Sequence, residues 1–376
     1  MAGAPASNPF SPTFGSTPPL LAGRDQVLGR FSDALDTGPT HPDYTLLVTG
    51  DRGTGKTALL NVLEARAADR GWMFITAAAS AEPVSARIFS EAQRCLSQMR
   101  KGRRSARVSS VSMMGVGVSL DSGTQWADPA SGLLAVLEEL GELLADRGGG
   151  LLLTVDELHD VDRDDVRNVA SAVQIVTRRR QRPVALVAAA LPLVEDTHLA
   201  DPNMTFLQRC SRARLGLLDA DETRRALRQP IVDRGSTIDG DALVEAAALT
   251  LGYSYMIQLV GFHSWEMRDN SDVPISLANV RAGAVVAESA MVEQIAGPIW
   301  NRLSSMDRRF LAAMLADGPD SSLADIAARL ERSVQYARTY RRRLIAAGAI
   351  SPTAKGRVRF RHHALRARTE TAAREE

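Results

Sequence analysis

The glycine-rich segment GDRGTGKT, residues 50–57, has the residue types and spacing best suited to chemistry. It fits G-x-x-x-x-G-K-[ST], the pattern of a phosphate-binding loop. Glycines let the backbone wrap around an anion, so that successive N–H groups and a helix N-terminus face phosphate oxygens. Lys56 would reach the β- and γ-phosphates of a nucleotide, and the Thr57 hydroxyl would bind Mg²⁺. The residues predicted to bind the nucleotide are Gly50, Arg52, Gly53, Thr54, Gly55, Lys56, Thr57 and Ala58.

A second chemical pattern is the acidic pair Asp156 and Glu157, which follows the apolar residues 151–155. Such a run predicts a buried parallel strand with carboxylates at its C-terminal end, where α/β sheets bind their ligands. Asp156 would hold Mg²⁺, and Glu157 would polarise the attacking water as a general base. We therefore predict binding of ATP and Mg²⁺ and, as a candidate activity, hydrolysis of ATP to ADP and phosphate. The sequence has no Asn-Lys-x-Asp segment, which argues against GTP.

The surrounding pattern predicts the elements that must position these residues. Apolar runs indicate strands at 46–48, 71–76, 151–155, 182–190 and 213–217, and helical spacing indicates helices at 58–63, 82–100 and 132–146. Asp219 with Glu222 predicts the N-terminal cap of a further helix. Residues 108–120 alternate in part and predict an inserted β-hairpin. The basic residues 101–107 are read as a solvated loop, because no aromatic residue is interleaved.

Two further segments carry a resemblance to a known family. Gly23-Arg24-Asp25 resembles the Gly-Arg-Glu/Asp motif, called the GRE/GRD box, that opens many AAA+ and STAND-type ATPases. In those families the backbone just before this motif holds the adenine. Residues 252–259, GYSYMIQL, resemble the GYPYFIQL segment in the helical lid of origin-recognition-like bacterial and archaeal ATPases, with Ser254 in place of proline. From residue 20 to about 365 the chain resembles these proteins. The resemblance implies an α/β P-loop NTPase domain with a parallel sheet and flanking helices, an all-helical lid and a winged-helix domain.

The sequence also departs from that family. The fourth strand ends in Ala190, where typical members carry a polar residue that helps to place the attacking water. We also identify no counterpart of the arginine that is called sensor 2 in that family. These departures imply slow hydrolysis. By resemblance Arg209 is a candidate arginine finger and hence a catalytic residue beside Glu157; a plain surface arginine is the alternative. Tyr253 and Tyr255 are interpreted as residues that pack within the lid, and contact with the adenine is the alternative.

The C-terminal part of the chain is basic. Residues 301–376 contain 16 basic and 8 acidic residues, a net charge of +8, so the other residues carry −7. Three helical patterns followed by two short strands predict a winged helix, and its charge suggests a polyanion partner. A winged helix that binds protein partners or locks the lid is the alternative. The residues predicted to bind double-stranded DNA are Arg338, Arg341, Arg342, Lys355 and Arg357.

These patterns divide the chain into five parts: an extended Pro-rich arm (1–19), the P-loop ATPase domain (20–218), the lid (219–300), the winged helix (301–366) and a tail (367–376). No apolar run reaches the roughly 18 residues that span a bilayer, and no signal peptide is recognised, so we expect no membrane partner and a cytoplasmic protein. Two distant cysteines suit a reducing compartment.

Together these features predict a switch that couples ATP binding and slow hydrolysis to DNA binding. The main alternative is a signalling scaffold that forms a homo-oligomer with ATP and binds protein partners. A small-molecule kinase is a third reading, against which the lid and the winged helix argue.

Overall fold

The computed structural model of the protein describes residues 7–13, 15–101, 129–270, 273–354, 356–361 and 363–375. The chain forms two compact units. One consists of residues 14–17 and 21–216, and the other of residues 1–13, 18–20 and 217–376. The predicted hairpin at 108–120, nearly all of the basic stretch at 101–107 and Lys355 lie outside the described residues.

The unit of residues 21–216 is built on a parallel five-stranded sheet. The strands are β1 Thr45–Gly50, β2 Met73–Ala78, β3 Leu151–Asp156, β4 Val184–Ala190 and β5 Ser211–Leu215. Their order is β2-β3-β4-β1-β5. Every residue of β4 is buried, as expected for a central strand whose two faces are covered by helices. The predicted parallel sheet is therefore confirmed.

Helices cover both faces of this sheet. They are α1 Asp25–Thr37, α2 Lys56–Ala68, α3 Val84–Lys101, α4 Pro129–Ala145, α5 Arg163–Gln174, α6 Val194–Thr197 and α7 Thr205–Gln208. Two separate apolar clusters result. One contains residues of α3, α4 and α5, and the other contains residues of α1 and α2. The core thus has two layers, one on each face of the sheet.

The strand register places the two chemical motifs at one edge of the sheet. Strand β4 pairs with β1 on one side and with β3 on the other, all in parallel. Because parallel strands end at the same edge, Gly50 at the end of β1 and Asp156 at the end of β3 face the same side of the fold.

The second unit begins with a helical region. It comprises α8 Ala220–Asp233, α9 Gly240–Thr250, α10 Ser254–Glu266, α11 Leu277–Met291 and α12 Gly297–Asn301. A capping box in which Asp219 and Glu222 exchange hydrogen bonds starts α8, as the sequence predicts, because each side chain accepts from an otherwise unpaired backbone N–H. Tyr253 and Tyr255 are buried, which agrees with a packing role.

Helices and a small antiparallel sheet follow in the C-terminal region. In chain order they are α13 Ser305–Met314, β6 Ser321–Ser322, α14 Leu323–Arg329, α15 Val334–Ala346, β7 Ile350–Pro352, β8 Arg357–Phe360 and α16 His363–Glu375. The strand order is β6-β8-β7. Residues 367–375, which we expected to be a tail, belong to α16.

Described residues of the N-terminal arm make contacts at two places. Asn8 donates hydrogen bonds to the Phe262 carbonyl and to Glu266 of α10, at 3.1 and 2.7 Å. Phe10 is 3% exposed, and its ring lies where a side chain on Gly261 would otherwise be, 2.5 Å from an ideal Cβ. Further along the arm, Asn61 of α2 donates to the Gly15 carbonyl and to the Thr17 hydroxyl, each at 3.0 Å.

In the part of the chain that the structure describes, no helix is both long enough and apolar enough to cross a membrane.

Candidate nucleotide-binding site

The phosphate loop connects β1 to α2 and adopts a conformation that requires its glycines. Gly53 and Gly55 have φ angles of 74° and 89°, in the left-handed region that side chains disfavour. Gly50 is confined for a different reason. A Cβ on it would lie 2.6 Å from the Thr54 hydroxyl and 2.8 Å from the Leu215 carbonyl oxygen. The loop is therefore packed tightly against the end of β5.

Lys56, the first residue of α2, is bent back over this loop. Its side chain is buried, and Nζ donates to the carbonyl oxygens of Gly50 and Asp51, both at 3.1 Å. Burial lowers the pKa of Lys56, while the nearby Glu157, Asp156 and Asp51 oppose that shift. An ammonium group held this way is positioned to exchange carbonyl contacts for phosphate oxygens.

The other residues predicted to bind the nucleotide lie in the loop and in the first turn of α2. Thr57 and Ala58 belong to the first turn of α2, whose backbone N–H groups have no partner within the helix. The Thr54 hydroxyl donates to the Asp51 carbonyl at 2.8 Å and steadies the bend of the loop. Arg52 lies exposed in the loop.

Thr57 and Asp156 meet at the predicted magnesium site. The Thr57 hydroxyl donates to Asp156 Oδ2 at 2.6 Å, although the two residues are far apart in the sequence. Mg²⁺ favours oxygen ligands and is bound by few protein groups together with phosphates and water. This hydroxyl and carboxylate suit that chemistry. Among the described residues no cluster of three or more His, Cys, Asp or Glu could hold a metal ion.

Glu157 immediately follows β3 and has a strained backbone. Its φ is 51°, a left-handed value that is uncommon for a residue with a side chain and that recurs at functional sites. Its N–H donates to Asp156 Oδ1 at 2.8 Å. Burial raises the pKa of Glu157, with Lys56 opposing the shift. Its Oε2 is buried and accepts no hydrogen bond from the described residues.

His159 was not identified from the sequence, yet it lies beside Glu157. The Leu191 N–H, just after β4, donates to His159 Nδ1 at 3.2 Å, and Glu157 Oε2 lies 3.4 Å from the same nitrogen. Burial lowers the pKa of His159 and favours the neutral ring, with the proton on Nε2 because Nδ1 accepts. An imidazole thus lies near Ala190, where a polar residue was missing. The only signal in the sequence is its position two residues after Glu157.

Arg209, the candidate arginine finger, follows helix α7 as its C-cap residue, two residues before β5, and is exposed. Strand β5 is at the edge of the sheet. This position leaves both readings of Arg209 open, as an arginine finger or as a surface residue.

The residues predicted to bind DNA are unequally placed on the C-terminal elements. Arg338 and Arg342 are exposed one turn apart on α15, whereas Arg341 is half-buried. Arg357 on β8 is exposed and donates to the Asp320 carbonyl at 2.8 Å. The neighbouring Arg343 instead pairs with the buried Asp307 at 2.9 Å, which holds α15 on α13.

Comparison with known proteins agrees with this geometry. Residues 20–187 match the family described as AAA ATPase domain, and residues 293–367 match a domain of unknown function, DUF8462. No curated protein sequence shows significant similarity to the chain.

Solved structures show the same fold at low sequence identity. The Aeropyrum pernix ORC2 protein, in its ADPNP–ADP complexes, is 15% identical with a TM-score of 0.64, covering 97% of this chain and 98% of that one. The Walker-type ATPase PABY2304 of Pyrococcus abyssi is 13% identical, also with a TM-score of 0.64, covering 93% and 96%. Residues 20–187 thus match the AAA ATPase domain family, and the chain shares its fold with the ORC2 protein and the Walker-type ATPase.

Proposed function

We propose that this protein is an ATP-dependent switch that couples its nucleotide state to the binding of double-stranded DNA. The observation that carries the proposal is the meeting of Lys56, Thr57, Asp156 and Glu157 at one edge of a parallel sheet. These groups supply a cation for the phosphates, oxygen ligands for Mg²⁺ and a carboxylate for water. The ADPNP–ADP complexes of the structurally similar ORC2 protein support the choice of an adenine nucleotide.

Hydrolysis, in this proposal, is slow and resets the switch. Glu157 polarises the attacking water, and bound Mg²⁺ would neutralise charge on the phosphates through the oxygens of Thr57 and Asp156. Ala190 offers no polar group at the end of β4. The binding energy of the γ-phosphate then shifts the population between two conformations instead of driving rapid turnover.

The DNA-binding part of the proposal rests on the C-terminal region. Helices α13, α14 and α15 followed by the β7 and β8 strands have the order of a winged helix, in which the third helix enters the major groove. Arg338 and Arg342 project from the exposed side of that third helix, and arginine contacts both guanine and phosphate. The net charge of +8 in residues 301–376 favours a polyanion.

Fluorescence anisotropy of labelled duplex DNA tests this function. Titrations with ATP, with ADP and without nucleotide, at several salt concentrations, should give salt-sensitive binding that depends on the nucleotide. Replacing Arg338 and Arg342 by alanine should weaken binding and reduce the slope of log affinity against log salt by about 2, because each phosphate contact contributes about 0.9. The matched control replaces the exposed Arg302 and Arg374, which lie off α15. If the two double variants change the DNA affinity and its salt dependence equally, α15 is not the helix that binds the DNA.

A signalling scaffold is the second candidate, and one observation favours it. The lid residues Val244, Leu251 and Val285 are 60%, 62% and 68% exposed, although such side chains gain from burial. Protein partners or further copies of the chain would cover them. Absence of DNA binding in every nucleotide state, together with ATP-dependent assembly on a sizing column, would select this function.

A further inference from the structure

Arg24 is buried beneath the phosphate loop, although the sequence suggested only that it belongs to a family box. Its guanidinium Nη2 lies 3.0 Å from the Gly216 carbonyl oxygen and 3.5 Å from the Thr54 carbonyl oxygen, and the residue is 8% exposed. One planar, permanently charged group therefore lies between the nucleotide loop and the segment after β5.

The contact with Thr54 bears on phosphate binding because peptide groups are planar and trans. A carbonyl that points to Arg24 forces the N–H of the same peptide, which belongs to Gly55, to point the opposite way. In a phosphate loop these N–H groups face the anion. Arg24 thus holds the side of the loop that is opposite to the phosphate.

The contact with Gly216 lies at the end of the ATPase unit. Gly216 is the last residue of that unit, and the chain enters the second unit at Leu217. Immediately afterwards the Leu218 N–H donates to the Gly252 carbonyl at 2.8 Å, and a Cβ on Gly252 would lie 2.1 Å from the Leu218 carbonyl oxygen. Gly252 in turn leads into α10 of the lid. A path therefore leads from Thr54 through Arg24 to Gly216 and along the chain to Leu218. From there it crosses to Gly252 and continues along the chain into α10.

We propose that Arg24 is a positioning residue that couples the phosphate loop to the start of the lid. Phosphate bound by the loop draws the Gly55 N–H toward it, and Arg24 passes the resulting shift of the Thr54 carbonyl to Gly216. The inference rests on the proposed nucleotide binding and adds the route by which that binding reaches the lid.

Hydrogen exchange measured by mass spectrometry on the full chain, with and without ATP and Mg²⁺, tests this coupling. In the wild-type protein ATP should slow exchange in peptides covering 50–58 and also in peptides covering 216–220 and 250–256. In Arg24→Gln at saturating ATP the slowing should persist at 50–58 and be lost at the other two segments. A purely structural role would alter all three segments alike or none of them.

Two variants control for folding. Arg66→Gln removes another arginine of the same unit, whose Nη1 donates to the Leu28 carbonyl at 3.1 Å and to the Ser32 hydroxyl at 3.2 Å. It should keep the response in all three segments. Arg24→Lys retains the buried charge and replaces Arg24→Gln as the test if the glutamine variant does not fold. Because lysine has a single ammonium group in place of the planar guanidinium, ATP should slow exchange at 216–220 less in this variant than in the wild type.

The outcomes separate the two proposals. No ATP-dependent slowing at 50–58 in the wild-type protein would contradict nucleotide binding itself. Slowing at 50–58 without any change at 216–220 in the wild type would overturn the coupling alone. A full response at 216–220 and 250–256 in the folded Arg24 variants would also overturn it.

Discussion

Lys56 is held in place by groups of the protein itself. Its ammonium group donates to two loop carbonyls and lies among Asp51, Asp156 and Glu157, so its position is fixed by the protein alone. Preorganised charge of this kind lowers the cost of ordering the site when the ligand binds.

Replacing Lys56 by alanine should therefore remove most of the affinity for ATP. A hydrogen bond from a charged donor contributes about 1.5–3 kcal/mol, so affinity should fall by at least about tenfold. Isothermal titration calorimetry measures this directly. Arg66→Ala removes a positive charge from the same helix and serves as the control. Undiminished ATP binding by the Lys56 variant would contradict the assignment of the loop.

Glu157→Gln separates binding from hydrolysis. The amide keeps the shape of the side chain and loses the base, and a positioned base accounts for about 100-fold to 10,000-fold in rate. Phosphate release should drop by at least about 100-fold in this variant while ATP affinity stays near that of the wild type. If turnover is unchanged, another group activates the water.

At the scale of elements, Glu64 joins helix α2 to strands β2 and β3. The Thr76 hydroxyl donates to Glu64 Oε1 at 2.8 Å, and the Thr154 hydroxyl donates to the same oxygen. Burial raises the pKa of Glu64, an effect that exceeds the opposing effect of the two threonines. The helix that carries the phosphate loop is thus tied to the strand that carries Asp156 through a carboxyl group.

The raised pKa of Glu64 predicts a pH dependence of stability. Its proton is bound more tightly in the folded protein, so its contribution is complete below the unfolded pKa of about 4.3. That contribution is lost as the pH rises through the folded pKa. Denaturant unfolding of wild type and Glu64→Gln should therefore show the wild type losing stability relative to the variant as the pH rises from 4 toward neutrality. A constant difference would indicate that the pKa of Glu64 is not raised.

The arm gives a second prediction at this scale. Phe10 fills the space above Gly261, and truncating a buried phenylalanine to alanine costs about 3 kcal/mol or more. Phe10→Ala should lower the thermal unfolding temperature of the unit that contains α10. The control is Val244→Ala on α9, which removes an exposed side chain and should change that temperature little. An unchanged temperature for Phe10→Ala would mean that the arm does not stabilise α10.

The elements were predictable where one local pattern determines them. Buried apolar runs gave β3 and β4, and the Asp219 box marked the start of α8, because burial and capping leave a signature within a few residues. The contact of Thr57 with Asp156 followed from the motifs. The positions of His159 and Arg24 could not be predicted, because each side chain contacts backbone atoms that are distant in the sequence. Strand β6 has only two residues and carries no periodicity.

At the scale of the whole molecule, the charge is divided between the parts of the chain. The acidic balance of residues 1–300 and the +8 of residues 301–376 nearly cancel, so the total charge conceals a basic C-terminal region. Electrostatic attraction of DNA would act on that region and would weaken as salt screens it.

Arg209 leads to a prediction about assembly. An arginine finger acts on the nucleotide of a neighbouring copy, so Arg209→Ala and Lys56→Ala should each be inactive alone. A mixture of the two should regain turnover, because one copy supplies a working loop and the other an intact arginine. Phosphate release from the mixture, with a sizing column run in parallel, measures this. Full activity of Arg209→Ala alone would make Arg209 an ordinary surface residue.

The packing of Phe10 on Gly261 also defines which fragments of this protein can be studied faithfully. The match to the AAA ATPase family begins at residue 20, which is where a shortened version would naturally start. Such a fragment would lack Asn8 and Phe10 and would leave a gap the size of a phenyl ring on α10, next to Gly261. Measurements on it would describe a lid that the intact protein does not have, and affinity tags are better placed at the C-terminus.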